Sequence, residues 1–237
     1  MKFSIITVTY NCEDLIETTL NSVLIQDFLN FEYIIVDGGS TDNTLKIIES
    51  YKDKIDIIIS EPDKGIYDAM NKAIKLASGE YINFMNAGDT FIGNNIITTI
   101  NNFLNQNNCS LAYGYARTSY LNKELLIGNS DASKIKICHQ AAFYKKDLHH
   151  KYGLYDLNYK IVSDRDFFAK LYTHHEPICF VNTIIVDYMY DGLTTKNVLA
   201  RIYEDYMLDQ QYFSEKKLLN FFKFLTKSIF YKLKGFA

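Results

Sequence analysis

The chain has 237 residues, 48% of them hydrophobic and 22% charged, with 25 Lys and Arg against 28 Asp and Glu for a formal charge of −3. A chain of this length buries about 70–75% of its unfolded surface, so a sizeable core is available. Two prolines, eleven glycines and a 15% aromatic share exclude disordered and collagen-like classes, and the slight acidity disfavours a wholly basic nucleic-acid binder.

Through the first half, short β-branched runs alternate with helical periodicity, the pattern of βαβ units on a mostly parallel sheet. Ile5 to Thr9 reads as a strand. Leu15, Ile16, Leu20, Val23 and Leu24 recur at helical spacing within 13–26, and 33–36 is a buried strand running into Asp37-Gly38-Gly39-Ser40, where a turn with φ > 0 is expected. A helix over 42–51, a strand over 55–60, a helix over 67–77 and a strand over 81–85 follow. After a helix at 97–104 the pattern loosens into extended pieces at 112–117 and 140–144, then a helix at 164–172 and an extended run at 178–188. Helices over 196–213 and 215–233 close the chain. No Pro/Gly/Ser-rich linker separates 1–105 from 106–195, so both are expected on one sheet, with 196–237 as a helical extension.

Cys12, Cys109, Cys138 and Cys179 stand far apart without zinc-like spacing, which reads as reduced thiols of a cytoplasmic protein. No apolar run reaches the roughly eighteen residues of a membrane span, and the N-terminus shows no signal-peptide cleavage pattern.

Ligands of an open α/β sheet sit outside the carboxyl ends of its strands. Those exits are polar here: Thr9-Tyr10-Asn11, Asp37-Gly38-Gly39-Ser40-Thr41-Asp42, Glu61-Pro62-Asp63-Lys64-Gly65 and Asn86-Ala87-Gly88-Asp89. Bare phosphate would favour basic groups or helix N-termini, whereas carboxylates near phosphates imply a divalent ion between them. The pattern points to a nucleotide diphosphate held through Mg²⁺ or Mn²⁺.

These four segments, with Ile66-Tyr67-Asp68-Ala69-Met70-Asn71 after the third, closely resemble the family 2 glycosyltransferases of GT-A fold, in order, over about residues 1–195. The resemblance implies a Rossmann-like sheet flanked by helices, a nucleotide-sugar donor, a divalent metal and inversion at the anomeric carbon. It places the nucleotide-binding half at 1–105 and the acceptor side at 106–195. Carried over by position, Thr9, Tyr10 and Asn11 line the nucleotide pocket, and Asp37 accepts a hydrogen bond from the base, a task suited to an acceptor-only carboxylate facing a uracil imide. Lys64 and Gly65 close over the base, ribose or diphosphate. Asp68 and Asn71 share a helix face and could reach sugar or ribose hydroxyls; Asp68 is also placed to complement the helix dipole.

The metal motif departs from the usual Asp-x-Asp, leaving Asp89 as the retained ligand position, with helix capping as its alternative role. Ser163-Asp164-Arg165-Asp166 resembles the family's acidic pair, with Asp164 at the position of the general base and N-capping as its alternative. Asp166 could cap the helix or position Arg165. His139, in His139-Gln140, reads as a substrate contact or as structural. Asp191 lies in a loop resembling the family's closing loop. His149, His150, His174 and His175 form adjacent pairs and read as surface residues.

The segment 216–237 carries six lysines and no acid, leaving the rest of the chain at −9. Leu218, Phe221, Phe222, Leu225, Ile229, Leu233 and Phe236 fall on one face of a wheel, opposite Lys216, Lys223, Lys227 and Lys234. Such a helix suits an anionic membrane surface, or packs on the domain with its lysines solvated. The expectation is therefore an inverting glycosyltransferase using a UDP-sugar and a glycan or lipid-linked acceptor in bacterial surface polysaccharide synthesis. It would be cytoplasmic or peripheral on the inner membrane face, with no nucleic-acid partner. A non-catalytic nucleotide-sugar-binding or scaffold protein of the same fold is the alternative, motivated by the missing aspartate. A nucleotidyltransferase would need a Gly-rich basic phosphate loop that the N-terminus lacks.

Overall fold

A computed structural model describes residues 2–120, 123–128, 137–189, 197–213 and 217–233. All seven residues of strand β1 (Phe3–Thr9) are buried, as in a central strand covered on both faces. It is flanked in parallel by β2 (Phe31–Asp37) and β4 (Tyr81–Phe84), and β2 pairs in parallel with β3 (Ile57–Ser60). Helices α1 (Ile16–Leu24), α2 (Thr44–Ser50) and α3 (Ile66–Leu76) supply the crossovers that parallel strands require.

Strand side chains alternate between two cores. Ile6, Val8, Ile34, Val36, Ile82 and Phe84 pack with Tyr67, Met70 and Ile74 of α3. Phe3, Ile5, Tyr33, Ile35 and Tyr81 pack with Ile16, Leu20 and Val23 of α1 on the other face.

The sheet order is β3-β2-β1-β4-β8-β6-β9-β5, where β5 is Thr90–Phe91, β6 Leu111–Tyr120, β8 Ala142–Lys145 and β9 Ile178–Asp187; β7 (Lys123–Ile127) pairs with β6. The expected α/β class and single sheet hold. The parallel arrangement belongs to the first four strands, whereas β8 runs antiparallel to both β4 and β6, and only β9 is parallel to β6. Helix α4 (Ile96–Gln106) packs on the α1 side. Helices α5 (Asp147–Tyr152) and α6 (Ser163–Thr173) pack on the α3 side through Leu148, Phe167, Phe168 and Leu171.

Two sequence expectations are corrected here. Cys109, just before β6, and Cys179, in the neighbouring strand β9, form a disulfide although 70 residues apart in sequence, while Cys12 and Cys138 are free thiols. Strand pairing between Leu111 and Ile178 brings the two together, a juxtaposition that spacing along the chain does not reveal. His149 is not a surface residue: it is 5% exposed, its ring stacks on Phe167 at 4.2 Å, and its Nδ1 meets the Gly153 carbonyl at 3.0 Å. Burial pushes its pKa down to about 4, so it serves as a neutral packing group. His150, His174 and His175 are exposed, as expected.

The helical extension divides in two. Helix α7 (Val198–Tyr212) is built into the domain: Leu208 is fully buried, Glu204 accepts the N–H groups of Lys160, Ile161 and Val162 at 2.9–3.2 Å, and Arg165 pairs with Asp205 and Asp209. Helix α8 (Lys217–Leu233) rests on α7 by stacking Phe224 on Tyr206, with centroids 4.7 Å apart, and by burying Asn220. Phe221, Phe222, Leu225, Ile229 and Phe230 stay exposed, as do Lys223 and Lys227. Of the described residues, no helix is long and apolar enough to cross a membrane.

Candidate active site

Because β1 to β4 are parallel, their carboxyl ends share one edge of the sheet, and the four polar exits meet there. The register sets Thr9 beside Asp37 and Asp37 beside Ser60. Asn11, with φ of 49°, turns the chain out of β1 in the left-handed region that Asn tolerates better than most residues. Its side-chain oxygen accepts the Thr41 N–H at 2.8 Å and its own N–H donates to the Ser40 hydroxyl at 2.8 Å. Asn11 thus pins the loop after β2 to the exit of β1. Thr9 is buried and, among the described residues, its hydroxyl has no hydrogen-bond partner, whereas Tyr10 is 59% exposed at the mouth of the crevice.

Asp37 does not occupy the position that the resemblance implies. It is fully buried, and its carboxylate accepts the N–H groups of Gly39 and Ser40, at 3.2 and 3.0 Å, and the hydroxyls of Ser60, at 2.6 Å, and Ser40. These four donors make it the keystone of its loop and leave a nucleotide base little access. A half-buried carboxylate, Asp63, stands beside this loop and was given no role from the sequence. Its Oδ1 accepts the Gly65 N–H at 2.7 Å, and its Oδ2 lies 2.5 Å from where a Cβ at position 38 would stand, beside the Tyr10 ring. Glycine at 38 is what leaves room for it.

Gly65, with φ of 116°, starts α3 in a conformation that favours glycine, and nothing crowds its outer side. Asp68 accepts the Lys64 N–H at 3.0 Å and so closes the loop onto the first turn of α3. Lys64 is exposed and, among the described residues, forms no ion pair. Asn71 requires correction. It is 7% exposed and spends both ends of its amide on Tyr155, accepting that residue's N–H at 3.0 Å and donating to its carbonyl at 2.9 Å, so it ties α3 to the segment before α6 rather than facing a ligand.

At the exit of β4, Thr19 of α1 holds the turn by accepting the Gly88 N–H and donating to the Asp89 carbonyl, both at 2.9 Å. Asp89 is 4% exposed; its Oδ2 accepts from Gln140 Nε2 at 2.7 Å and its Oδ1 from the Met189 N–H at 2.9 Å. Burial pushes its carboxyl up to about 6 against these two donors. Each oxygen keeps a second lone pair, and the neighbouring Asn86 Oδ1 is buried with no partner among the described residues. No group of three His, Cys, Asp or Glu side chains gathers for a metal among the described residues. This donor set fits a divalent ion that takes most of its shell from water and a diphosphate, and does not fit one held by protein alone.

Across the crevice, Asp164 opens α6 with its side chain 16% exposed. Its Oδ1 accepts from the Tyr67 hydroxyl at 2.8 Å and its Oδ2 from His139 Nδ1 at 2.9 Å, while His139 Nε2 meets Asn86 Nδ2 at 2.9 Å. Burial raises the Asp164 pKa, but the His139 and Tyr67 hydrogen bonds outweigh it and hold the carboxyl below its usual range. Asp166 faces away: Tyr212 donates to it at 2.7 Å and Lys170 pairs with it at 2.7 Å, so it fastens α6 to α7 and neither positions Arg165 nor approaches the crevice. Asp191 lies outside the described residues. Sequence reasoning gave no role to Tyr67, Asn86 or Gln140. Tyr67 was legible only as part of its motif, since its partner is 97 residues away.

The glycosyl transferase family 2 model matches residues 4–153. A PGL/p-HBAD biosynthesis glycosyltransferase of Mycobacterium bovis is 33% identical over 192 residues, covering 78% of this chain and 72% of that protein. The Escherichia coli UDP-Glc:alpha-D-GlcNAc-diphosphoundecaprenol beta-1,3-glucosyltransferase WfgD is 35% identical over 144 residues, 60% of this chain and about half (53%) of WfgD. Among solved structures, S. aureus TarS 1-349 in complex with UDP-GlcNAc superposes with a TM-score of 0.75 at 20% identity, covering 96% of this chain and 72% of that one. Mannosyltransferase PcManGT from Pyrobaculum calidifontis, in complex with GDP-Man and Mn²⁺, gives 0.71 at 15% identity, covering 89% and 63%. The fold is the GT-A fold, a sheet flanked by helices. The chain belongs to the family 2 glycosyltransferases.

Proposed function

We propose that this glycosyltransferase is an inverting enzyme that moves a hexosyl or N-acetylhexosaminyl group from a UDP-sugar to an acceptor hydroxyl of a glycan or lipid-linked glycan. The observation that carries the reading is the placement of Asp164: an ionised carboxylate at the rim of the strand-exit crevice, two side chains from the β4 exit. In an inverting transfer the acceptor oxygen attacks the anomeric carbon opposite the departing diphosphate. Asp164 takes the acceptor's proton as the new C–O bond forms, and the electron pair of the breaking bond leaves with the diphosphate. Mg²⁺ or Mn²⁺, with Asp89 as its protein ligand, would neutralise charge on that diphosphate. Lys64 closes on the same phosphates, and Thr9, Tyr10 and Asn11 form the floor and wall of the nucleotide pocket.

Base recognition falls to Asp63 rather than Asp37, since Asp63 keeps an oxygen free of hydrogen bonds among the described residues beside an exposed aromatic ring. The scaffold alternative draws on the single carboxylate of the metal motif. The hydrogen-bonded Asp164 favours catalysis, because a binding module has no use for an oriented, ionised base.

Thermal-shift screening tests the nucleotide half of the reading. UDP with Mn²⁺ should raise the melting temperature by several degrees at about 100 times its dissociation constant, and GDP or CDP by less. Equal or absent shifts for all three would count against it.

We assign the segment from 217 a membrane role at the inner face of the cell membrane, where a lipid-linked acceptor would lie. Exposed Phe221, Phe222, Leu225, Ile229 and Phe230, beside Lys223 and Lys227, support it. The full chain should float with vesicles of phosphatidylglycerol and phosphatidylethanolamine, and a chain ending at Phe213 should stay at the bottom of the gradient. Equal flotation of the two would remove the membrane role.

A further inference from the structure

Asp164 belongs to a chain of four side chains from four parts of the fold. Tyr67 comes from α3, Asp164 from α6, His139 from the turn before β8, and Asn86 from the exit of β4. The protons along it can be assigned. An ionised carboxylate only accepts, so His139 Nδ1 must carry a hydrogen; an amide nitrogen only donates, so His139 Nε2 must be the acceptor for Asn86. Each end of the chain fixes the same tautomer of the ring, the Nδ1–H form. The Tyr67 hydroxyl is shared between Asp164 Oδ1 and the Ile161 carbonyl, each at 2.8 Å.

We propose that His139 is a positioning residue for the reaction: through Nδ1–H it holds the Asp164 carboxylate in one orientation and in its ionised form, and through Nε2 it ties that carboxylate to the β4 exit where the diphosphate departs. The proposal rests on the reading of Asp164 as the general base. A base in a displacement must present a lone pair along one direction, and a carboxylate on a helix terminus otherwise has free rotation about its side-chain bonds. Tyr67 and His139 each hold one oxygen and the Arg165 backbone N–H adds a smaller contribution, which leaves a lone pair for the acceptor hydroxyl. Imidazole is suited to the place because it offers a donor and an acceptor on opposite edges of one rigid ring.

Among the described residues, the other charged and titratable groups around Asp164 are Cys138 beside His139, Tyr144 of β8, Tyr155, Glu204 of α7, and Arg165, which is engaged by Asp205 and Asp209. None supplies a cation free to replace the His139 hydrogen bond. The sign of the effect follows. A donor to the ionised form lowers a carboxyl pKa, so removing it raises that pKa, and the acid limb of the rate profile, set by loss of the ionised base, moves to higher pH.

The test uses the full chain with UDP-glucose and UDP-GlcNAc as donors, reading UDP release against pH, together with nitrogen-15 NMR of the imidazole. The His139 ring should show the Nδ1–H tautomer, with Nε2 unprotonated. In His139→Phe, kcat should fall about 10–100-fold with donor KM within about threefold, and the acid limb should rise by about one pH unit. His139→Asn, whose amide nitrogen can take the place of Nδ1, should lose less than about tenfold and keep the wild-type limb. An Nε2–H tautomer would overturn the proposal, as would a wild-type limb in His139→Phe. So would a His139→Asn variant as impaired as His139→Phe but rescued by free imidazole, which would make the ring itself the base. Asp164→Asn separates the two levels: if it releases UDP at the wild-type rate, the reading of Asp164 fails, whereas its inactivity beside an unaltered His139→Phe profile leaves Asp164 standing and removes only the positioning role.

Discussion

Replacing Asp164 by Asn should lower sugar transfer by about 10²–10⁴-fold, the range that a positioned general base supplies, while UDP affinity changes by no more than two- to threefold. The amide is nearly isosteric and its oxygen can still accept one of the two hydrogen bonds from Tyr67 and His139. It cannot take a proton from the acceptor hydroxyl. The fold should tolerate the change, because Asp164 sits at the first turn of α6 and the core contacts of that helix come from Phe167, Phe168 and Leu171. Steady-state kinetics paired with calorimetric UDP titration reads both quantities. A kcat within tenfold of wild type would place the base elsewhere.

The second large effect concerns the pair Asp37 and Asp63, which should separate cleanly. Asp37→Ala removes a fully buried carboxylate that accepts from two backbone N–H groups and two serine hydroxyls. The cost should be about 3 kcal/mol, or a fall in melting temperature of about 6–12 °C for a chain of this size, with nucleotide binding lost as a consequence. Asp63→Asn should cost no more than about 1 kcal/mol of stability, because an amide oxygen can still take the Gly65 N–H. Its free amide would then present a donor where the uracil imide also presents one. UDP affinity should fall about 10–100-fold, the worth of a hydrogen bond to a charged group, and CDP, whose base offers an acceptor at that edge, should gain relative to UDP. Differential scanning calorimetry and competition binding would measure both variants. Unchanged UDP binding in Asp63→Asn would return base recognition to another group.

These assignments show where sequence carries the structure and where it stops. The first four strands were legible because β1, β2 and β4 are apolar runs buried on both faces, β3 is a run of three isoleucines, and each ends in a polar exit, so strand, turn and edge follow from local residues. Asp164 was legible for the same reason, as a carboxylate opening a helix within a recognisable motif. The partners of the site residues were not. Asn71 closes on Tyr155 across 84 positions and Asp89 on Met189 across 100, and neither spacing leaves a periodic signal. Asp37 looked available because a carboxylate after a strand in a glycine-rich turn suits a ligand, and the same turn folds its own N–H groups and hydroxyls back onto it. Cys109 and Cys179 meet only through the pairing of β6 and β9, and His149 is drawn inward by aromatic neighbours on α6 and β8. In each case a tertiary contact decided what a residue's chemistry alone left open.

The central claim is that the crevice transfers a sugar with inversion by way of Asp164, and water can serve as the acceptor in its most direct measurement. Incubating the full chain with UDP-glucose or UDP-GlcNAc and Mn²⁺, and following the released sugar by proton NMR before mutarotation, reports which anomer forms first. Both donors are α-linked, so the account predicts β-sugar first, and none from Asp164→Asn. Early release of α-sugar, or β-sugar released equally by Asp164→Asn, would contradict it.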